Sequence, residues 1–218
     1  GKGAPTDKNT NKRGGQTMGV LRVTSLALML LAGSMPASGD DNSKFAGLKG
    51  NPSLKSASAI VLDQQGNIIY GKDVDTVRPI ASITKLMTAM VILDAGLDLE
   101  EKITITKEDR DLIRLTGSRL EYGATLSRRE MILLALMSSE NRAATALGRT
   151  YPGGMDNFIK HMNRKASGLG MRDTHFADPA GLRSENVSTA SDLAKMISAA
   201  ESYPLITESS TTTRMEVR

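Results

Sequence analysis

The stretch "ASITKLMTAMVIL" (81–93) constrains the fold more than any other part of the chain. Its apolar positions 83, 86, 87, 90, 91 and 93 cover a broad face, which is typical of a helix buried on most sides. We therefore predict a central helix from about Ser82 to Asp94, closed by Gly96. A hydroxyl and an amine, those of Ser82 and Lys85, stand where this buried helix begins.

The spacing of Ser82 and Lys85 makes the two side chains neighbours on a helix. The unpaired N–H groups and the positive dipole end of a first turn stabilise an alkoxide and disfavour an ammonium. The pKa of Lys85 should then fall below its usual value of about 10.4, and a neutral amine beside a hydroxyl is a general base. The alternative is that Ser82 only caps the helix and Lys85 is hydrated.

A second polar group, "MSSEN" (137–141), interrupts an apolar helix. In a turn, Ser139 and Asn141 could point into one cleft, where the hydroxyl relays a proton and the amide holds a peptide carbonyl. A simple corner between two helices is the alternative. The same pattern recurs at Ser184 and Asn186 in a polar loop without an apolar helix before it, and we interpret that copy as coincidence.

The remaining patterns predict an α/β fold in which an antiparallel sheet packs against helices. Two β-branched runs (58–63 and 67–71) flank "QQG" and indicate a hairpin. A mostly helical region, about 97–190, should form the other wall of a cleft. Within and after it we predict a short strand (102–106), a loop (115–126), and helices at 127–137, 155–170 and 189–202. Ser127 and Glu130 form a capping box, Thr189 or Ser191 caps the last helix, and "TTTRMEVR" looks like the start of a strand.

Composition narrows the classes of function. Hydrophobic residues make up 39% of the 218 residues but aromatics only 3%, so Leu, Ile, Ala and the 12 methionines must build the core. The net charge of +4 is confined to the first 38 residues, and the neutral remainder lacks the basic surface of a nucleic-acid binder. There is no cysteine, and His161 and His175 lack a metal-ligand spacing, which argues against a zinc peptidase. We expect both histidines to be structural or exposed.

The first 38 residues resemble an export leader. Lys12, Arg13 and Arg22 precede an apolar run (26–33) and a small-residue stretch (34–39). We expect residues 1–38 to be a signal peptide that directs the protein to the periplasm and is its only membrane contact, and residues 39–54 to be a linker. An uncleaved interfacial anchor is the alternative. Met18 is a plausible natural start, so residues 1–17 need not be native.

The order of motifs resembles a known family. A hairpin, "RPIASITKLMTA", "LLALMSSENRAATAL" and "THFADPAGL" follow one another as in the low-molecular-mass penicillin-binding proteins, over residues 55–218. These are serine DD-peptidases with the serine β-lactamase/DD-peptidase-like fold, and "SSENRAA" looks most like their endopeptidase branch.

The resemblance implies roles for four residues. Ser82 would form the acyl-enzyme, Lys85 would take its proton, Ser139 would shuttle it onward, and Asn141 would position the substrate. Substrates would be peptidoglycan stem peptides, with β-lactam antibiotics as covalent inhibitors. No metal or cofactor is implied, because serine and lysine supply both nucleophile and base.

One departure leaves alternatives open. The family's third motif, Lys-Thr-Gly, does not occur in the 218 residues, so we expect a domain incomplete at its C-terminus, with strands missing. In the family this motif lies on a strand that borders the cleft and supplies one of two oxyanion-hole amides, the other being the N–H of Ser82.

Two alternative functions remain open: a D-alanyl-D-alanine carboxypeptidase and a non-catalytic penicillin-recognition or wall-binding module. A class A β-lactamase would have only Glu185 to activate water, and no G-x-S-x-G elbow surrounds Ser82 for a Ser-His-Asp hydrolase.

Overall fold

The computed structural model describes residues 58–62 and 68–211. Its strands are β1 (Ala59–Leu62), β2 (Ile68–Lys72), β3 (Arg78–Pro79), β4 (Lys102–Thr104), β5 (Thr125–Ser127) and β6 (Val187–Ser188). Its helices are α1 (Thr84–Asp94), α2 (Arg128–Met137), α3 (Asn141–Arg149), α4 (Gly154–Gly168), α5 (Ala190–Ala200) and α6 (Pro204–Thr211). Short 3₁₀ turns lie at Ala81–Ile83 and Lys107–Asp109. The predicted leader and linker lie outside the described residues.

The described strands form three antiparallel pairs: β1 with β2, β3 with β6, and β4 with β5. The predicted hairpin is confirmed as β1–β2, and α5 packs against β1. The predicted loop at 115–126 was wrong at its end, because β5 pairs with β4 and joins Ile103 to Leu126 in register. A strand of three residues is too short to show an alternating pattern in the sequence.

The central position predicted for α1 is confirmed. It contacts α2, α3, α4 and α5, and nine of its eleven residues are buried. Met87, Met90 and Ile92 have no exposed surface, so the core is built largely from aliphatic side chains and methionine. The α-helix begins at Thr84 and not at Ser82, because residues 81–83 form a 3₁₀ turn in which Ala81 has a φ of +45°.

Two other helices begin at the capping residues that the sequence predicts. Ser127 and Glu130 form the predicted capping box of α2, and Thr189 caps α5 by accepting from the N–H of Asp192. Helix α6 was missed, because its polar C-terminal half lacks the apolar periodicity of a helix. Most of the predicted terminal strand, residues 212–218, lies outside the described part of the chain, and Thr211 closes α6. No helix among the described residues is long and apolar enough to cross a membrane.

A buried ion pair fixes α3, the helix that Asn141 opens. Arg149 donates from Nε and Nη2 to the two oxygens of Asp109 (2.8 and 2.9 Å), and the Asp109 side chain has no exposed surface. This bidentate pair ties the end of α3 to the 3₁₀ turn at Lys107–Asp109. By contrast, the ion pair between Arg129 and Glu100 (3.1 Å) lies at the surface.

We expect Arg149→Met to lower the free energy of unfolding by about 3 kcal/mol, because it leaves a buried carboxylate without its cation. Urea denaturation followed by circular dichroism measures the effect. The matched control is Arg129→Met, whose exposed pair should contribute less than about 1 kcal/mol. Equal losses in the two variants would contradict the special role of the buried pair.

Candidate active site

The exposed hydroxyl of Ser82 and the buried amine of Lys85 meet at the start of α1. Ser82 lies in the 3₁₀ turn that precedes the helix, whereas Lys85 lies in the first turn of α1 and is only 2% exposed. The Nζ of Lys85 is 3.5 Å from the Oγ of Ser82, the outer limit of a hydrogen bond. The start of α1 therefore exposes the Ser82 hydroxyl to solvent and shields the Lys85 amine from solvent.

The amine of Lys85 has a closer partner on another part of the chain. It donates to the carbonyl of Ala180 over 2.7 Å. Burial lowers the pKa of Lys85 to about 8, because it disfavours the ammonium form. The charges of Asp178 and Glu140 oppose this shift, and that of Arg114 adds to it. At neutral pH roughly a tenth of such an amine is unprotonated, against less than a thousandth of an ordinary lysine.

Ser139 reaches Ser82 from the break between α2 and α3. Its Oγ donates to the Oγ of Ser82 over 2.8 Å. Ser139 has a φ of +53°, a left-handed conformation that few residues other than glycine adopt readily. This backbone places an exposed hydroxyl beside Ser82, while the next residue, Glu140, caps α3 by accepting from the N–H of Arg142.

Asn141 opens α3 and is held from the side by a loop. Its Nδ2 donates to the hydroxyl of Thr116 (2.9 Å), which in turn donates to Asp111 (2.6 Å). Burial raises the pKa of Asp111, but the hydroxyl of Thr116 and the N–H groups of Arg114, Thr116 and Ile113 outweigh it and lower the pKa to about 2. Asp111 thus stays ionised and fixes the loop that orients the Asn141 amide.

A turn over residues 178–186 forms the back of the site. It carries the Ala180 carbonyl that binds Lys85. At Gly181 the φ is +79°, and a Cβ built there would lie 1.8 Å from the carbonyl oxygen of Ala81. Only glycine permits this approach, so the turn presses directly on the segment that carries Ser82.

The structure brings three of the four predicted residues together: Lys85 and Ser139 each contact Ser82. Asn141 opens α3 two residues after Ser139, and its amide hydrogen-bonds Thr116. The alternative in which Ser82 caps α1 is wrong, since the cap is Ile83 and no side chain makes a capping hydrogen bond. The alternative in which Lys85 is hydrated is also wrong, because the side chain is buried.

Other residues singled out in the sequence lie apart from this cluster or serve the fold. His161 is partly buried with Nδ1 2.8 Å from the carbonyl of Asn157, and His175 is exposed and pairs through its backbone with Val187. Glu185 is exposed and accepts from Ser184. No group of three or more potential metal ligands occurs in residues 58–62 and 68–211.

Sequence reasoning missed the residues that support the cluster. Thr116 lies in a loop with no motif, and Asn186 belongs to the Ser184–Asn186 pattern interpreted as coincidence. Asn186 has no exposed surface, and its amide binds the turn at Asp178. The glycine that follows "DPA" is the one local signal for the tight turn.

Solved structures similar to this one include DD-peptidases. A D-alanyl-D-alanine carboxypeptidase from Mycobacterium tuberculosis superposes with a TM-score of 0.70 at 30% identity, over 78% of this chain and 65% of that one. A mutant of a Streptomyces DD-transpeptidase superposes with a TM-score of 0.66 at 30% identity, over 71% of this chain and 64% of that one. The chain therefore has the α/β fold of the serine DD-peptidases and penicillin-binding proteins, as the motifs predicted.

Within that class the chain belongs to the peptidase S11 family, D-alanyl-D-alanine carboxypeptidase, whose model matches residues 46–218. It is 51% identical to a D-alanyl-D-alanine endopeptidase of Pseudomonas aeruginosa, over 77% of this chain and 54% of the relative. It is 48% identical to a D-alanyl-D-alanine endopeptidase of Escherichia coli, over 86% of this chain and 61% of the relative. The chain thus spans little more than half the length of these two relatives.

The contact between Gly181 and Ala81 gives a prediction about stability. We expect Gly181→Ala to lower the free energy of unfolding by more than about 3 kcal/mol, because the new methyl group overlaps a backbone carbonyl. Gly170→Ala is the control: its φ is +72° but nothing lies within 4 Å of the added Cβ, so only about 1 kcal/mol of backbone strain is expected. Urea denaturation that ranks the two variants equally would contradict the contact.

The environment of Lys85 gives a prediction about titration. In the ¹³Cε-lysine spectrum, the resonance of Lys85, assigned with Lys85→Met, should titrate with a midpoint near pH 8. Lys165 is an internal control. Burial lowers its pKa, but hydrogen bonds to Asp94 (2.6 Å) and Tyr203 (2.8 Å) outweigh this and raise it above the ordinary value. A Lys85 midpoint at or above that of Lys165 would show that the amine is not desolvated.

Proposed function

We propose that this chain carries the acyl-transfer centre of a serine DD-endopeptidase, which hydrolyses D-alanyl cross-links between peptidoglycan stem peptides and binds penicillin covalently. The observation that carries the proposal is the pairing of the exposed Ser82 hydroxyl with a desolvated Lys85 amine 3.5 Å away. Membership of the peptidase family and about 50% identity to two endopeptidases support the same reaction.

The reaction begins with attack of the Ser82 oxygen on the carbonyl carbon of a D-alanyl residue. As the C–O bond forms, the hydroxyl proton passes to the neutral amine of Lys85, which acts as general base. The Ser139 hydroxyl, whose Oγ is 2.8 Å from the Oγ of Ser82, would pass that proton to the leaving amine. The C–N bond then breaks and leaves an ester on Ser82, which water hydrolyses to restore the hydroxyl.

Asn141 is the proposed substrate-binding side chain. One of its two amide hydrogens is engaged by Thr116, so the other hydrogen and the amide oxygen remain for a peptide. The backbone N–H of Ser82 would donate to the developing oxyanion. The Lys-Thr-Gly motif, which would carry the second donor, does not occur in the 218 residues. The loss of one oxyanion donor typically lowers the rate by a factor of about 10²–10³.

Two candidate bonds share this chemistry. A carboxypeptidase would release the terminal D-alanine of one stem peptide, and the family's description and the Mycobacterium tuberculosis structure favour that reaction. The two relatives of about 50% identity favour cleavage of the cross-link. Competing a cross-linked muropeptide dimer against a pentapeptide monomer decides between them, since each reaction releases a product of different mass.

The proposed substrate is found outside the cytoplasmic membrane, and we propose the periplasm as the site of action. The support is the pattern of the first 38 residues, in which basic residues precede an apolar run and a small-residue stretch. Peptidoglycan peptides and β-lactams would be the ligands. The neutral charge of residues 39–218 gives no reason to expect nucleic acid.

We expect a fluorescent penicillin to label this chain covalently, with a band on a denaturing gel that Ser82→Ala abolishes. Ser184→Ala, which alters an exposed serine in the other Ser-x-Asn pattern, is the matched control and should label like the parent. A chimera that adds the remaining C-terminal segment of the Pseudomonas aeruginosa endopeptidase should label about 10²-fold faster or more, because it supplies a second oxyanion donor.

Labelling that survives Ser82→Ala would place the nucleophile elsewhere. If neither the chain nor the chimera labels while circular dichroism shows both folded, the non-catalytic wall-binding alternative is favoured. Labelling by the chimera alone would assign the nucleophile to this chain and the missing donor to the added segment.

A further inference from the structure

We propose that Asp178 is a positioning residue for the Lys85 amine, acting through the backbone turn that it organises and through its own negative charge. The inference rests on the proposed function, in which Lys85 is the general base. Asp178 lies outside the Ser-x-x-Lys motif and outside both Ser-x-Asn patterns, and Asn186 belongs only to the second of those patterns.

The carboxylate of Asp178 organises an entire turn. Five donors converge on it, three on Oδ1 and two on Oδ2. The Oδ1 partners are the N–H groups of Ala180 (2.7 Å), Gly181 (2.7 Å) and Leu182 (3.2 Å), and the Oδ2 partners are the N–H of Arg183 (2.8 Å) and the Nδ2 of Asn186 (2.5 Å). A carboxylate has about four lone-pair sites, so this one is fully used within the turn.

Asn186 locks that carboxylate in place. The amide is fully buried, and its Oδ1 accepts from the N–H groups of Ala177 (3.0 Å) and Asp178 (3.3 Å). Its own backbone carbonyl accepts from the N–H of Ile80 (3.0 Å), the residue before the segment that carries Ser82. Asn186 therefore connects the turn to the segment that carries Ser82.

The organised turn holds Lys85 at a single point. Ala180 receives a hydrogen bond from Asp178 through its N–H and gives its carbonyl to the Lys85 amine at 2.7 Å. Gly181, the next residue, lies against the carbonyl of Ala81. The turn cannot shift without moving both the amine and the Ser82 segment, so the carboxylate fixes the distance between base and nucleophile.

Asp178 also contributes charge. The charged groups that act on the Lys85 amine are Asp178 in this turn, Glu140 at the cap of α3 and Arg114 in the loop after Asp111. Asp178 and Glu140 stabilise the ammonium, whereas Arg114 and burial destabilise it. Removing the charge of Asp178 therefore lowers the pKa of Lys85, and the pH at which the amine becomes a base falls with it.

The test is the variant Asp178→Asn, measured by the ¹³Cε titration of Lys85 and by the pH profile of penicillin labelling. We expect the Lys85 midpoint to move to lower pH by about half a unit or more, because an opposite charge is lost. We also expect the labelling rate at high pH to fall at least fivefold. The new Nδ2 group is a donor and cannot accept the hydrogen bonds that the carboxylate oxygen accepted, so the turn should loosen. Glu185→Gln, which removes an exposed charge from the same turn, should change neither quantity.

Asp178→Glu separates the two effects and serves if Asp178→Asn does not fold. It keeps the charge on a longer side chain, so the midpoint should stay within about 0.2 units of the parent while the labelling rate falls. The proposal is overturned if Asp178→Asn leaves the midpoint in place or raises it, if Glu185→Gln shifts it equally, or if Asp178→Glu labels at the parental rate. Should the parent chain and the chimera both fail to label, the proposed function fails, and the NMR titrations still decide the charge effect of Asp178.

Discussion

The desolvation of one amine is the constraint on which the rest of the structure depends. Lys85 lies in a helix whose other first-turn residues are buried, and its Nζ is received by a single backbone carbonyl. Full burial without compensation would lower the pKa of a lysine by several units, to a value at which the amine is a weak base. The opposing charges of Asp178 and Glu140 hold the pKa near 8, where a neutral amine is both populated and basic.

The backbone around this amine is irregular at three positions. Ala81 and Ser139 both have left-handed φ values, and Gly181 makes a contact that no other residue permits. Each such feature costs of order 1–3 kcal/mol and persists only when its surroundings fix it. Here the surroundings are the apolar body of α1, the capped start of α3 and the Asp178 turn.

Long, strongly patterned segments could be predicted from the sequence, and three-dimensional neighbours could not. The apolar face of α1 and the capping box of α2 are local signals that specify their own structure. The β5 strand and α6 carry no such signal, since pairing with β4 and burial of Leu205 and Ile206 decide their conformations. The two Ser-x-Asn patterns illustrate the limit: the Asn141 amide is half-buried against a loop and the Asn186 amide is fully buried, and only the packing of distant elements distinguishes them.

The loop before β5 shows the same limit for the surroundings of Asn141. Asp111 accepts hydrogen bonds from its own loop, and through Thr116 it orients Asn141, which lies 25 residues further along the chain than Thr116. Nothing in the sequence around Thr116 indicates that partner. Two carboxylates, Asp111 and Asp178, thus organise the loops that hold Asn141 and Lys85.

The left-handed backbone of Ser139 has a consequence for the evolution of this domain. Glycine would relieve the strain at that position but would remove the hydroxyl that contacts Ser82. Thermal stability and retention of this hydroxyl contact therefore favour different residues at one codon. A laboratory selection that scored melting temperature alone would tend to replace this serine, and the improved scaffold would lose the hydroxyl contact to Ser82 without any change in fold.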